Sequence, residues 1–181
     1  MNTHTQKQIT TWLIAACLLI FLMVIIGGIT RLTRSGLSMV EWHPLSGVIP
    51  PMTDSAWELE FNKYQQFPEY QELNQGITLS QFKFIFFWEY IHRLIGRLMG
   101  LFFIIPFAYF FIKKKLDTPL MKKLLMMFVF GGLQGLYGWY MVKSGLVDNP
   151  HVSHYRLAGH LGLAFGIMAY ILCTTLDINR E

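Results

Sequence analysis

Charge is scarce in this sequence. Only 14% of its 181 residues are Asp, Glu, Lys or Arg, against 53% that are hydrophobic, a balance too apolar for an ordinary domain that folds in water. Cysteine is scarcer still. Cys17 and Cys173 lie inside separate apolar runs, which favours two small buried hydrophobes over a disulfide or a thiolate metal site. No H-x-x-x-H or H-x-x-E-H pattern occurs, so an isolated zinc site is not expected. Strand alternation and low-complexity tracts are also lacking. The net charge of +4 does not call for nucleic acid as a partner, because the lysines mark the ends of apolar runs instead of forming one basic face.

What is present is long hydrophobic runs, rich in the 15 phenylalanines. They cover about Trp12–Ile29, Phe82–Ile112, Leu124–Met141 and Tyr155–Leu176, each near or above the ~20 residues needed to cross ~30 Å of hydrocarbon. The first outlasts a secretory h-region, and Gly27-Gly28-Ile29-Thr30-Arg31 lacks a small-x-small cleavage pattern, so it reads as a retained helix. The expected fold is all-α: one polytopic membrane four-helix bundle over residues 1–181, with a long extracytoplasmic loop, about 31–81, between its first and second helices. Lys113, Lys114, Lys115, Lys122 and Lys123 crowd the connection between the second and third spans, which places that connection and both termini in the cytoplasm of a bacterial cell whose inner membrane the chain spans. The long loop carries Glu41, Asp54, Glu58, Glu60, Glu69 and Glu72, an asymmetry that supports this orientation. Within it, Asp54 is positioned to cap a short helix whose Trp57, Phe61 and Tyr64 recur at helical spacing, as in a packed cover.

The second span interrupts its apolar run with Glu89, His92, Arg93, Gly96 and Gly100 along one helical side, and with Arg97. Ionisable groups at membrane depth cost about 2.5–3.5 kcal/mol each on insertion scales, so they face a cavity, a cofactor or one another. An i, i+4 Glu89–Arg93 pair with His92 as a bystander is the plain alternative. In the fourth span Ser153 can cap the helix, and Arg156 and His160 share a face. At ~1.5 Å per residue, His92 lies ~32 Å above the cytoplasmic end of its span and His160 ~26 Å above the end of its own, nearly one level in the outer leaflet. Two imidazoles at one depth suit bis-histidine ligation of a haem iron. Arg93, Arg97 and Arg156 near the outer boundary could pair with haem propionates, with snorkelling to lipid phosphate as an equal alternative. Gly131, Gln134, Gly135 and Gly138 form a stripe on the third span that on its own means close helix packing. His4, His43, His151 and His154 lie in tails and loops, where solvated or interfacial roles are the better reading.

At these residues the chain resembles the haem A synthase family. The resemblance runs from Gly27 to Met39 (GGITRLTRSGLSM), through Glu41-Trp42, Phe67-Pro68-Glu69-Tyr70, Glu89-Tyr90-Ile91-His92-Arg93, Gly96-Arg97, Gln134-Gly135, Gly138-Trp139 and Ser144-Gly145-Leu146, to Val152–Leu161. The outer loop without cysteine is similar to the type shared by proteobacteria and mitochondria. The resemblance implies oxidation of the C8 methyl of haem O to the formyl of haem A, with oxygen from water, in assembly of a terminal oxidase. It implies Glu89 as the essential acid, positioning the methyl edge or taking protons, and His92 and His160 as iron ligands. Family members of this type have eight spans in two similar halves, and four spans match the amino half only. The expected partners are therefore lipid, haem O, an electron acceptor, haem O synthase, and either a separate carboxyl-half chain or a second copy of this one. An inactive truncated half, a non-catalytic haem b protein needing only the two histidines, and an assembly subunit without haem are the competing readings.

Overall fold

The computed structural model describes residues 2–41, 46–147 and 152–180. His43 and His151 fall outside them. The described residues form five α-helices and no strand: α1 (Thr3–Leu32), α2 (Asp54–Tyr64), α3 (Leu79–Ile112), α4 (Thr118–Val147) and α5 (His154–Arg180). All but α2 are long and apolar enough to cross a membrane, and the chain is an all-α, multi-pass membrane protein. These helices run past the apolar stretches at one or both ends, since helical hydrogen bonds continue into flanking polar residues once a turn exists.

Two of the helix ends share a device. After α1, Ser35 N–H donates to Thr30 O at 2.9 Å and Arg34 N–H to Arg31 O at 3.3 Å, with Arg34 at φ 52°. After α3, Lys115 N–H donates to Phe110 O and Lys114 N–H to Phe111 O, both at 3.0 Å, with Lys114 at φ 52°. This is the Schellman pattern, which satisfies the last carbonyls of a helix through one left-handed residue. A basic side chain takes the place that glycine usually fills, at a backbone cost of about 1–2 kcal/mol.

The helices gather into two compact units. The first combines α1 up to Val24, Gly96–Tyr137 of α3, its following turn and α4, and α5 from Gly159 onward. Its interior interleaves Leu13 and Ile20 of α1, Phe110 of α3, Leu124 of α4 and Ile171 of α5. Lipid tails are as apolar as leucine, so association within this unit depends on close packing and on a few polar ties more than on water exclusion. One such tie answers a defect in α3. Pro106 has no N–H to give the carbonyl of Phe102 four residues back, and Trp12 Nε1 donates to that carbonyl instead, at 3.2 Å. Near the other end of this unit Lys123 Nζ meets Asp177 Oδ2 at 2.7 Å, and the Gln6 side chain donates to the Ile178 carbonyl.

The second unit comprises Ile25–Ile95 and Gly138–Ala158. The connection between α1 and α3 is structured here. Helix α2 begins at a cap on Thr53, not Asp54: Thr53 has the extended backbone (φ −122°, ψ 156°) a cap requires, and its Oγ1 accepts Ala56 N–H at 3.2 Å. Asp54 lies in the first turn, 3.6 Å from Lys83 Nζ, where its charge complements the helix dipole. The predicted aromatic face closes down on the start of α3. Trp57 meets Phe86 edge-on at 5.0 Å between centroids, Phe61 lies 5.0 Å from Phe82 and Tyr64 5.2 Å from Phe82. Tyr64 and Phe82 are fully buried, so α2 is a packed cover. A π-helical turn, Glu69–Leu73, follows it.

Candidate functional site

In the second unit the site is built on the carboxylate of Glu89, which is 2% exposed. The left-handed turn at Arg34 directs the chain after α1 back along α3, and Leu37 holds it there: buried at 1% exposure, it packs so closely on Gly145 that a Cβ at Gly145 would stand 3.0 Å from Leu37 Cδ2. Ser38 and Met39 then reach Glu89. Its Oε2 accepts from Ser38 Oγ at 2.7 Å and from Met39 N–H at 2.8 Å, and its Oε1 accepts from Arg93 Nη2 at 2.5 Å. Arg93 extends the clasp by donating to Met39 O at 3.0 Å and Glu41 O at 3.5 Å. Three donors on one buried carboxylate, two of them neutral and one a guanidinium one helical turn away, offset its loss of hydration. The result straps residues 35–41 onto α3.

His92 follows in the same unit. Its ring lies against Gly27 of α1, where a Cβ would stand 3.2 Å from Nε2 and 3.6 Å from Cδ2. Glycine at 27 therefore keeps clear the space beside the ring nitrogen. Arg156, also in this unit, lays its guanidinium 4.9 Å over the ring of Tyr140.

The first unit holds His160 on α5. Tyr137 of α4 stacks on its ring at 6.1 Å and 12°, and Gly159 makes that possible, since a Cβ there would come 2.5 Å from Tyr137 Oη. Gln134 Nε2 donates to the His160 carbonyl at 3.0 Å and lies 3.3 Å from His160 Nε2. An amide N–H facing Nε2 requires that nitrogen to accept, which puts the ring proton on Nδ1. Nδ1 is buried with no hydrogen-bond partner among the described residues. In this tautomer the ring lone pair lies on Nε2, so an iron would reach it only by taking the place that Gln134 holds there. Along α3 and α4, Cβ atoms at Gly100, Gly131 and Gly135 would meet nothing within 4 Å, so no described residue packs closely on these three. Within this unit, the open flanks of Gly100, Gly131 and Gly135 and the buried, unpartnered Nδ1 of His160 fit a flat, bulky group that engages the imidazole. Arg97, the remaining predicted arginine, is half-buried on α3 in this unit.

Sequence reasoning missed four participants. Ser38 and the Met39 amide are separated from Glu89 by some fifty positions, and only the fold pairs them. Tyr137 read as one more apolar residue. Glu69 was counted among loop acids, yet it is 4% exposed and accepts a hydrogen bond from Tyr64 Oη at 3.1 Å. Its signal was an acid embedded in the aromatic run Phe67-Pro68-Glu69-Tyr70.

The heme A synthase of Nitrosospira multiformis is 57% identical over 173 residues, covering 96% of this chain and 49% of that protein. Those of Flavobacterium johnsoniae and Nitrosomonas eutropha are 52% and 55% identical, over 96% and 92% of this chain and 51% and 47% of their own lengths. The chain spans about half the length of these relatives. No solved structure matches it. The model of the cytochrome oxidase assembly protein family matches residues 10–181, and the chain belongs to that family.

Proposed function

We propose that this chain is the amino half of a haem A synthase, an oxidoreductase that converts the C8 methyl of haem O to a formyl group. The observation that carries this reading is the Glu89 clasp: a buried carboxylate fixed by Ser38, Met39 and Arg93, one turn before a histidine whose ring lies tight against Gly27. His92 and His160 would be the iron ligands, and Gln134 and Tyr137 would set the orientation of the His160 ring. Haem iron supplies the redox chemistry when bound. Arg93 already serves Glu89, so Arg97 and Arg156 carry the propionate reading more directly, with Arg93 completing the cationic edge. Glu89, with three donors in place, orients the reacting edge of the substrate. In the membrane, the lysines around 113–123 would stay cytoplasmic with both termini, and residues 33–78 would cover the outer face of a bacterial inner membrane. Haem O synthase would deliver the substrate. A second copy or a separate carboxyl-half chain would complete the enzyme and pass electrons to an acceptor.

The test is expression alone, and co-expression with the carboxyl half of a relative such as the Nitrosospira multiformis heme A synthase, in cells that make haem O, followed by chromatography of extracted haems. Haem A should form, and Glu89→Gln should abolish it, since an amide would set its NH2 against either the Arg93 guanidinium or the Met39 N–H and would lose the charge that Arg93 pairs with. Haem O accumulating unchanged with the native chain in both settings, or haem A forming with Glu89→Gln, would refute the reading.

A further inference from the structure

Two carboxyls are buried among the described residues, Glu89 and Glu69, and the proposed function uses only the first. They are built differently. Glu89 receives three donors, one of them a guanidinium, so most of its about four lone-pair sites are committed to holding the strap. Glu69 receives one neutral donor, Tyr64 Oη at 3.1 Å, and Tyr64 Oη is itself fixed by Asn74 Nδ2 at 2.7 Å. No cation forms an ion pair with Glu69 among the described residues. Its position is set by the π-helical turn that starts on it: Asn74 N–H closes the turn on the Glu69 carbonyl at 3.0 Å while the Asn74 side chain reaches Tyr64. The turn lies at the surface, with Gln71 and Glu72 exposed, while Tyr64, which holds the acid, packs in one buried cluster with Met39, whose N–H holds Glu89.

We propose that Glu69, held by Tyr64 in the buried cluster that includes Met39, is the proton-carrying acid of this site, and that Glu89 is its positioning carboxylate. The inference rests on the haem A synthase reading and deepens it. Oxygen taken from water into a C–H bond releases protons, with two electrons going to the acceptor, and the step assigned to Glu69 is proton transfer alone: the acid, neutral at rest, gives its proton to water at the exposed turn, and the carboxylate so formed takes up a proton leaving the substrate side. The electrostatics suit the task. Burial, then the negative charge of Glu89, push the Glu69 carboxyl up to about 8, opposed by the Tyr64 hydrogen bond and by Arg34, which brings it near the operating pH of a cell, where an acid that both takes and releases protons is most effective. Tyr64 is pushed up as well, by burial first and by Glu69 second, so it serves as a donor that keeps its proton.

Infrared difference spectra of the purified chain in lipid nanodiscs, recorded from about pH 6 to about pH 10, read this directly. A protonated-carboxyl band should be present at neutral pH, fade with a midpoint near 8, and be missing in Glu69→Gln. Tyr64→Phe, which removes the bond favouring the charged form, should move the midpoint upward. A band absent at neutral pH, or unchanged in Glu69→Gln, would overturn the proposal. In the haem-conversion assay, Glu69→Gln should lower haem A yield about 100-fold with bound haem unchanged, and Glu69→Asp should restore part of it. Full yield from Glu69→Gln together with loss in Glu89→Gln would sink this inference alone, whereas full yield from both would sink the functional reading beneath it.

Discussion

Removing the hydroxyl of Ser38 tests whether the strap is held by the carboxylate of Glu89. Ser38 is 2% exposed, and its Oγ lies 2.7 Å from Glu89 Oε2, so Ser38→Ala deletes one hydrogen bond to a buried charge and leaves the Met39 and Arg93 donors in place. A hydrogen bond to a charged group contributes about 1.5–3 kcal/mol. Taking about 2 kcal/mol, with a tenfold change for each 1.4 kcal/mol, the strap should open about thirty times more often. Met39 N–H, 2.8 Å from the same oxygen, reports that opening. Hydrogen exchange at the Met39 amide should therefore accelerate about thirtyfold in Ser38→Ala, as expected of local opening, and return toward the native rate in Ser38→Thr, while amides in the first unit, such as those around Leu124, stay unchanged. Equal Met39 exchange in the native chain and Ser38→Ala would refute the clasp as the force holding residues 35–41.

Gly27→Ala brings a methyl to 3.2 Å from His92 Nε2; overpacking of this kind costs about 1–3 kcal/mol, and bound haem should fall or shift its absorption while helical content by circular dichroism is kept. Lys114→Gly relieves a left-handed residue at φ 52° and should raise thermal stability in detergent by up to about 1 kcal/mol; a lowered melting temperature would contradict the Schellman reading. The second unit should also lose stability with rising pH. Glu69 has its folded value raised from 4.5 to about 8, so the native state holds a proton that the unfolded chain releases in that interval. The neutral acid's contribution is whole below about 4.5, declines by about 1.4 kcal/mol per pH unit at most, and is gone above about 8. Chemical denaturation at several pH values should show this slope in the native chain and a flatter one in Glu69→Gln.

The membrane helices were legible because twenty-residue apolar runs have one outcome in lipid, and the aromatic spacing of Trp57, Phe61 and Tyr64 announced the cover. Helix ends were less so: Thr53 and Asp54 are both good caps, and only backbone geometry chose the threonine. The Glu89–Arg93 pair followed from i, i+4 spacing, but its second half did not, since Ser38 and the Met39 amide reach it through a turn at Arg34 that no local pattern marks. Glu69 was invisible as a buried acid because burial there depends on α2 closing over the loop. His160 drew attention as a lone histidine in an apolar span, whereas Tyr137 and Gln134, which fix its ring, are residues whose types alone point nowhere.

Haem content and low-spin spectra of the purified, completed protein test the account most directly. The native chain should bind haem with a bis-histidine signature, and His92→Ala and His160→Ala should each abolish that signature while the helices stay folded. Retention of the full native spectrum in either variant would contradict the assignment of that histidine as an iron ligand.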